Sequence, residues 1–254
     1  MFKEIIIAIQ SYVEAHRFIV KHKLWHWILI PGLLYAILFG VGIYFFWISS
    51  DKAIHLFLEY SGLDKWVRND AAGWLKVLFV FTSVLVNILM LLLYFSLFKY
   101  LFLIIGSPIF AYLSEKTEAT IEGKEFPFNF KQLLHDIARG VKLALRNTLW
   151  QTVYTVSILI LSFIPLVGWF TPFLALLIEC YYFGFSMLDY SCERHKLSTS
   201  ESIAFIGKHK GLAIGNGIIF YMMHMLVFVG WLLAPTYAVV AATLSLYKTN
   251  KLKL

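Results

Sequence analysis

Long stretches free of Asp, Glu, Lys and Arg alternate with shorter charged segments along this chain. The first runs from Leu24 to Ser50, the second from Val77 to Phe98, between Lys76 and Lys99. Each exceeds the roughly 20 apolar residues needed to cross the hydrocarbon core of a bilayer. Both are expected to be helices, because backbone amides in lipid must be satisfied within the segment. Apolar character resumes after Lys99 and lasts to Leu113. The second helix therefore extends over 77–113, with a bend expected at Gly106-Ser107-Pro108, where proline removes a ladder donor.

The third run, Asn147 to Ile178, is too long for one crossing and too short for two with a turn. Its middle holds Pro165, Gly168 and Pro172, which break a helix. The spacing predicts a helical hairpin over 147–190 whose tip stops inside the bilayer, its freed backbone groups buried in protein. The fourth run, Gly211 to Tyr247, has Gly230 and Pro235 at a similar tip and predicts a second hairpin over 211–247. Phe130, Leu133, Leu134, Ile137, Val141 and Leu145 recur at helical spacing, with Lys131, Arg139, Lys142 and Arg146 between them. Residues 128–146 thus read as an amphipathic helix lying on anionic headgroups. Ile5, Ile6, Ile9 and Val13 mark a shorter one within the interfacial segment 1–23. The expected fold is an all-α integral membrane protein in one domain, 1–254. It has two long transmembrane helices (24–50 and 77–113), two membrane-inserted helical hairpins and interfacial amphipathic helices.

Composition supports this. Of 254 residues, 60% are hydrophobic and 15% charged, against about 25% charged in an ordinary soluble domain. Mean hydropathy is +0.74. A soluble fold of this size cannot bury so much apolar surface, so soluble globular, disordered and fibrous classes are excluded. The net charge of +7 suits a surface against anionic lipid. No Lys/Arg run and no aromatic-basic interleaving for base stacking is present, so no nucleic-acid partner is expected. With two crossings and two hairpins, 18 of the 22 basic residues share a side with both termini, and segment 51–76 holds the other four. The positive-inside rule favours cytoplasmic termini, but the short segments differ little and either orientation stays open. Cys180 and Cys192 have no CxxC or Cys/His ligand spacing, so neither a disulfide nor zinc is expected. Glu4, Glu14 and Arg17 interrupt the N-terminal apolar stretch, which is not a signal peptide.

Several single residues carry alternative readings. Glu179 follows an uncharged run, and an ionisable group at membrane depth is functional by default. It suits proton-coupled carriage, or an interfacial pair with a basic residue. His224 suits a proton relay or a hydrogen bond to a carbonyl. Asn87 suits an interhelical hydrogen bond or a selectivity element. Arg139 and Arg146, seven apart, suit a charged vestibule or a lipid-facing stripe. His22 and His26 are four apart but lack a third ligand, so interfacial histidines account for them and no metal is expected. Gly211, Gly215 and Gly217 suit close helix packing. No GxSxG elbow or Gly-rich phosphate loop appears, and neither an enzyme nor a cofactor is expected.

Three ordered blocks carry a resemblance. Gly106-Ser107-Pro108-Ile109-Phe110-Ala111-Tyr112-Leu113-Ser114-Glu115-Lys116 resembles a small-Pro-x-x-x-x-Leu-x-Glu segment after a second long helix. Phe163-Ile164-Pro165-Leu166-Val167-Gly168 is similar to a hairpin tip. Asp189-Tyr190, His195-Lys196 and Lys208-His209-Lys210 are similar to a segment between hairpins. Together they resemble the CysZ family of bacterial sulfate permeases, with the etoposide-induced-protein type of domain, over essentially the whole chain. The resemblance implies a multi-pass homo-oligomer in the bacterial inner membrane. It also implies sulfate, or a related oxyanion, passing inward to feed cysteine synthesis, with membrane lipid as the other partner. Family permeases hold sulfate in a Gly-(Leu/Ile)-Arg-Arg type loop before the first long helix. The matching positions here are Lys23, Leu24, Trp25 and His26, and both arginines are missing. Lys21, His22, Lys23 and His26 form a basic, donor-rich cluster at an expected helix N-terminus, where the dipole favours anions. Two readings follow: an oxyanion permease with Glu115, Asn87, Arg139, Arg146, Glu179 and His224 as conduction or coupling candidates, or a non-transporting membrane scaffold that has lost its anion loop.

Overall fold

Apolar periodicity is continuous enough that helices dominate a computed structural model of the chain. It describes residues 1–61, 73–124, 130–162, 170–226 and 229–249. The helices are α1 (Phe2–Lys21), α2 (Trp25–Ser61), α3 (Gly73–Glu122), α4 (Phe130–Ser162), α5 (Thr171–Arg194), α6 (Thr199–Lys208), α7 (Lys210–His224) and α8 (Val229–Lys248). No strand occurs among the described residues. Among the described residues, two helical segments are long and apolar enough to cross a membrane, Trp27–Ser49 and Thr171–Arg194. The expected span at 77–98 lies within α3, but most of its side chains fall outside the described set.

The chain divides into two compact units. One comprises Met1–Ala36 and Leu103–Leu254, the other Ile37–Phe102. In the smaller unit, Phe39 meets Phe98 edge-on, with ring centroids 5.4 Å apart.

The larger unit is built around α7, which packs against α1, α5 and α8. The glycines explain how one short helix serves three neighbours. A Cβ on Gly211 or Gly215 would strike α1, at Met1 and Glu4 or at Ala8 and Ile5. One on Gly217 would strike the Cys180 backbone of α5, and one on Gly184 of α5 would strike the Ala213 backbone of α7. Backbones thus approach at contact distance, the use of small residues read from the sequence. Polar bonds fix the register: Tyr12 Oη donates to the Asn216 carbonyl at 2.8 Å, and Asn216 Nδ2 donates to the Ala238 carbonyl at 2.9 Å. Phe183 and Phe220 stack at 3.5 Å between centroids.

Several expected boundaries move. The helix expected at 24–50 runs on to Ser61, and the one at 77–113 begins at Gly73 and ends at Glu122. The helix continues through Gly106-Ser107-Pro108. Pro108 cannot donate to the Ile104 carbonyl, but Ser107 Oγ does so at 2.8 Å. Pro31 likewise frees the Trp27 carbonyl within α2, and Thr236 Oγ1 reaches it at 3.4 Å. A hydroxyl replaces each missing backbone donor, so neither proline ends its helix. No break separates the amphipathic stretch, from Phe130 on, from the arm beginning at 147, because both lie in α4. The second turn falls at Met225-Leu226, near Gly230, whose added Cβ would strike the Met223 carbonyl. Pro235 is not at that tip: it is buried inside α8, where proline costs one donor rather than the helix. Pro172 sits in the first turn of α5, where its missing N–H is harmless. Pro165 and Gly168 lie outside the described residues.

Broad apolar faces stay exposed. On α4 they include Leu149, Trp150, Val153 and Ile160, and on α5 Phe173, Leu174 and Leu177. Faces of this extent mark a lipid or protein contact surface.

Candidate functional site

The most developed polar site sits where α4, α5 and α6 meet. Asp189 and Glu193 are four apart on α5 and share a face that buries both carboxylates. Arg139 of α4 reaches them with a side chain only 8% exposed. Its Nη1 and Nη2 donate to Asp189 Oδ2 and Oδ1 at 2.9 and 2.8 Å, a fork-on-carboxylate geometry. Nη2 also donates to Ser202 Oγ at 2.6 Å, and Nη1 lies 3.4 Å from Glu193 Oε1. Burial pulls the Arg139 pKa down. The Asp189 and Glu193 carboxylates more than offset it, so the net shift is upward and the guanidinium stays charged. A cavity of about 710 Å³ opens beside this network, lined by His135, Arg139, Lys142, Glu193, Lys196 and Ser198. The start of α6 is fixed by a capping box: Glu201 N donates to Ser198 Oγ, and Ser198 N donates to Glu201 Oε2 at 2.7 Å. The Ser198 hydrogen bonds hold the Glu201 pKa below the ordinary carboxylate value.

A second charged cluster ties α3 to the end of α5. Arg194 Nε lies 2.9 Å from Glu118 Oε2, and His195 Nε2 lies 3.1 Å from Glu118 Oε1. Arg194 Nη1 also donates to the Glu115 carbonyl at 2.8 Å and lies 3.6 Å from its carboxylate. Deeper, Ser114, Ser191 and Thr243 form a buried hydroxyl triangle with sides of 3.1, 3.0 and 3.2 Å, joining α3, α5 and α8.

The residues singled out from sequence scatter over these places. Lys21 is the last residue of α1, and Lys23 and Leu24 form the turn into α2 with Lys23 at φ 54°. Lys23 N and Leu24 N donate to the Val20 and Ile19 carbonyls, so two backbone donors of the expected anion loop are committed to closing α1. Leu24 is buried, Trp25 is half exposed, and the His26 side chain is outside the described set. Arg139 and Glu115 fall in separate charged clusters. Arg146 Nη1 donates to Asn147 Oδ1 at 2.9 Å. Glu179 accepts from Tyr221 Oη at 2.9 Å and from Gln151 Nε2, bridging α4, α5 and α7. His224 Nε2 and Tyr35 Oη share a 2.8 Å hydrogen bond. Asn87 lies in α3 with its side chain outside the described set. Glu118, Glu193, Arg194 and Ser202 escaped the sequence reading, although the four-residue spacing of Asp189 and Glu193 after an apolar run signals a shared buried face.

An all-α arrangement with two helices of crossing length among the described residues and broad exposed apolar faces is of the membrane-protein class. Residues 11–235 match the family described as sulfate transporter CysZ/etoposide-induced protein 2.4, and the chain belongs to that family. A protein named sulfate transporter CysZ from Pseudomonas aeruginosa (strain LESB58) is 27% identical over 233 residues, covering 91% of this chain and 90% of the relative. Others of that name are 30% identical in Pseudomonas fluorescens (strain Pf0-1), covering 67% of this chain and 69% of the relative, and 31% identical in Pseudomonas syringae pv. tomato (strain DC3000), covering 67% and 68%. These relatives are named as transporters, in keeping with a chain that is not an enzyme.

Proposed function

We propose that this protein passes sulfate, or a closely related oxyanion, across the bacterial inner membrane to supply sulfur assimilation. The observation that carries this is the family match over residues 11–235, with relatives named as sulfate transporters along nine-tenths of the chain. In this reading α2 and α3 cross the bilayer, the α4–α5 and α7–α8 pairs insert as hairpins, and the exposed faces of α4 and α5 meet lipid or further copies of the chain. Lys21, Lys23, Leu24, Trp25 and His26 receive the anion, while Asn87, Glu115, Arg139, Arg146, Glu179 and His224 line or couple the path. The architecture holds no nucleotide-binding loop in its sequence, so ion gradients or downstream consumption supply the driving force. Expression in a bacterium stripped of its own sulfate uptake tests the reading. Growth on sulfate as sole sulfur source is expected, and failure to grow despite membrane expression counts against it.

One observation favours a second reading, a membrane scaffold without transport. The turn at 23–26 lacks both arginines, and its Lys23 and Leu24 amides are already bonded. Lysine offers a point charge where arginine offers a planar fork of donors, so oxyanion grip there is reduced.

A further inference from the structure

The cavity between α4, the α5–α6 turn and the start of α6 has a cationic wall that the paired clusters do not explain. Lys142 and Lys196 line it, and neither makes an ion pair among the described residues. Three other cations of this unit are ion-paired, Arg139 with Asp189, Arg194 with Glu118 and Lys248 with Glu14. Arg139, Asp189 and Glu193 together leave one negative charge, and the two lysines turn the total to +1 before His135 is counted.

Two further features bear on the same space. Arg139 has a side chain more than nine-tenths buried, and its Nε has no hydrogen-bond partner. Arg139 therefore lends positive charge to the wall, while Nε itself is shielded from the open space. Lys196 adopts φ 57°, the left-handed conformation that side chains disfavour. Lys196 N donates to the Glu193 carbonyl at 2.8 Å and Leu197 N to the Cys192 carbonyl at 3.2 Å, a helix ending usually built on glycine. A lysine stands there instead, and that conformation carries its side chain to the cavity wall. The first turn of α6 adds the positive end of a helix dipole, which its Glu201 cap partly offsets.

We infer that this cavity is an oxyanion site, separate from the α1–α2 turn, which takes a tetrahedral sulfate or phosphate group, either the free ion or the phosphodiester of an anionic lipid headgroup. Lys142 and Lys196 supply the charge, Arg139 adds its own behind them, and Ser198 supplies a hydroxyl at the start of α6. The site stands whether or not the chain transports sulfate.

Calorimetric titration of the full chain in neutral detergent at low ionic strength tests this with sodium sulfate and sodium phosphate, sodium chloride serving as blank. The parent is expected to bind at least one of the dianions saturably. Lys142→Gln and Lys196→Gly are each expected to weaken binding at least tenfold, while Lys3→Gln, on α1, leaves it unchanged. Lys196→Gly also relaxes the backbone, so its thermal midpoint rises as its affinity falls, a combination that misfolding cannot produce. Repetition in nanodiscs separates the two sources. Sulfate binding kept in phosphatidylcholine and lost in phosphatidylglycerol assigns the headgroup, and binding kept in both assigns the free anion. No dianion binding by the parent, or parent-like affinity in both lysine variants, overturns the site.

Discussion

Replacing Arg139 by methionine isolates the energetics of the buried network most cleanly. The arginine makes two hydrogen bonds to Asp189, one to Ser202 and a 3.4 Å approach to Glu193. Methionine keeps much of the stem's volume and removes every donor. It leaves two carboxylates, 5% and 6% exposed, on one face of α5 with no cation between them. Removing one partner of a buried pair costs about 3–5 kcal/mol, because the remaining charge is uncompensated. At about 2–4 °C per kcal/mol for a chain near this size, the thermal midpoint falls by roughly 6 to 20 °C. Asp189→Asn should cost less, since Glu193 still faces the guanidinium. The buried free thiols Cys180 and Cys192 provide the assay: a thiol-reactive dye reports their exposure as the detergent-solubilised protein is heated. An Arg139→Met midpoint within about 2 °C of the parent would refute the reasoning. So would an Asp189→Asn variant less stable than Arg139→Met, since that order requires Asp189 to do something other than neutralise Arg139.

The same assay checks the other predictions. Gly217→Ala and Gly184→Ala drive a methyl into opposing backbone and should destabilise by about 1–3 kcal/mol or more, whereas Gly207→Ala, with nothing within 4 Å of the added carbon, should be neutral or slightly stabilising. Ser107→Ala leaves the Ile104 carbonyl without the donor that stands in for Pro108, a loss of about 1–3 kcal/mol; Ser107→Thr should restore most of it. The lowered Glu201 pKa means its stabilisation is complete above the ordinary carboxylate pKa and fades as pH falls through the lower, folded value. Ser198→Ala should lower the thermal midpoint at pH 7 and flatten that acid limb, and an unchanged pH profile would contradict the capping role.

Much of the helical content was legible because apolar periodicity and crossing length are local properties. The roles of Gly211, Gly215 and Gly217 were legible too, since three small residues within seven positions have few other uses in an apolar run. Boundaries were less so. Pro108 and Pro31 do not end helices because Ser107 and Thr236 supply replacement donors, and Thr236 is more than 200 residues from the carbonyl it reaches. Pro235 is a tip residue by pattern but lies inside α8, because the turn forms earlier, where Gly230 meets the Met223 carbonyl. The candidate sites were legible as residue types, not as pairs. Arg139 reads equally as a lipid-facing charge until α5 places Asp189 against it, 50 residues on. Lys196 gave no sign of its left-handed backbone, which arises only from how α5 stops.

Labelled sulfate flux into proteoliposomes holding the purified full-length chain tests the central claim most directly. Uptake above empty vesicles, competed by excess unlabelled sulfate, is the predicted result. Entry of neither sulfate nor close oxyanions, from a preparation shown to be folded by its buried thiols, would contradict it and leave the membrane scaffold as the reading.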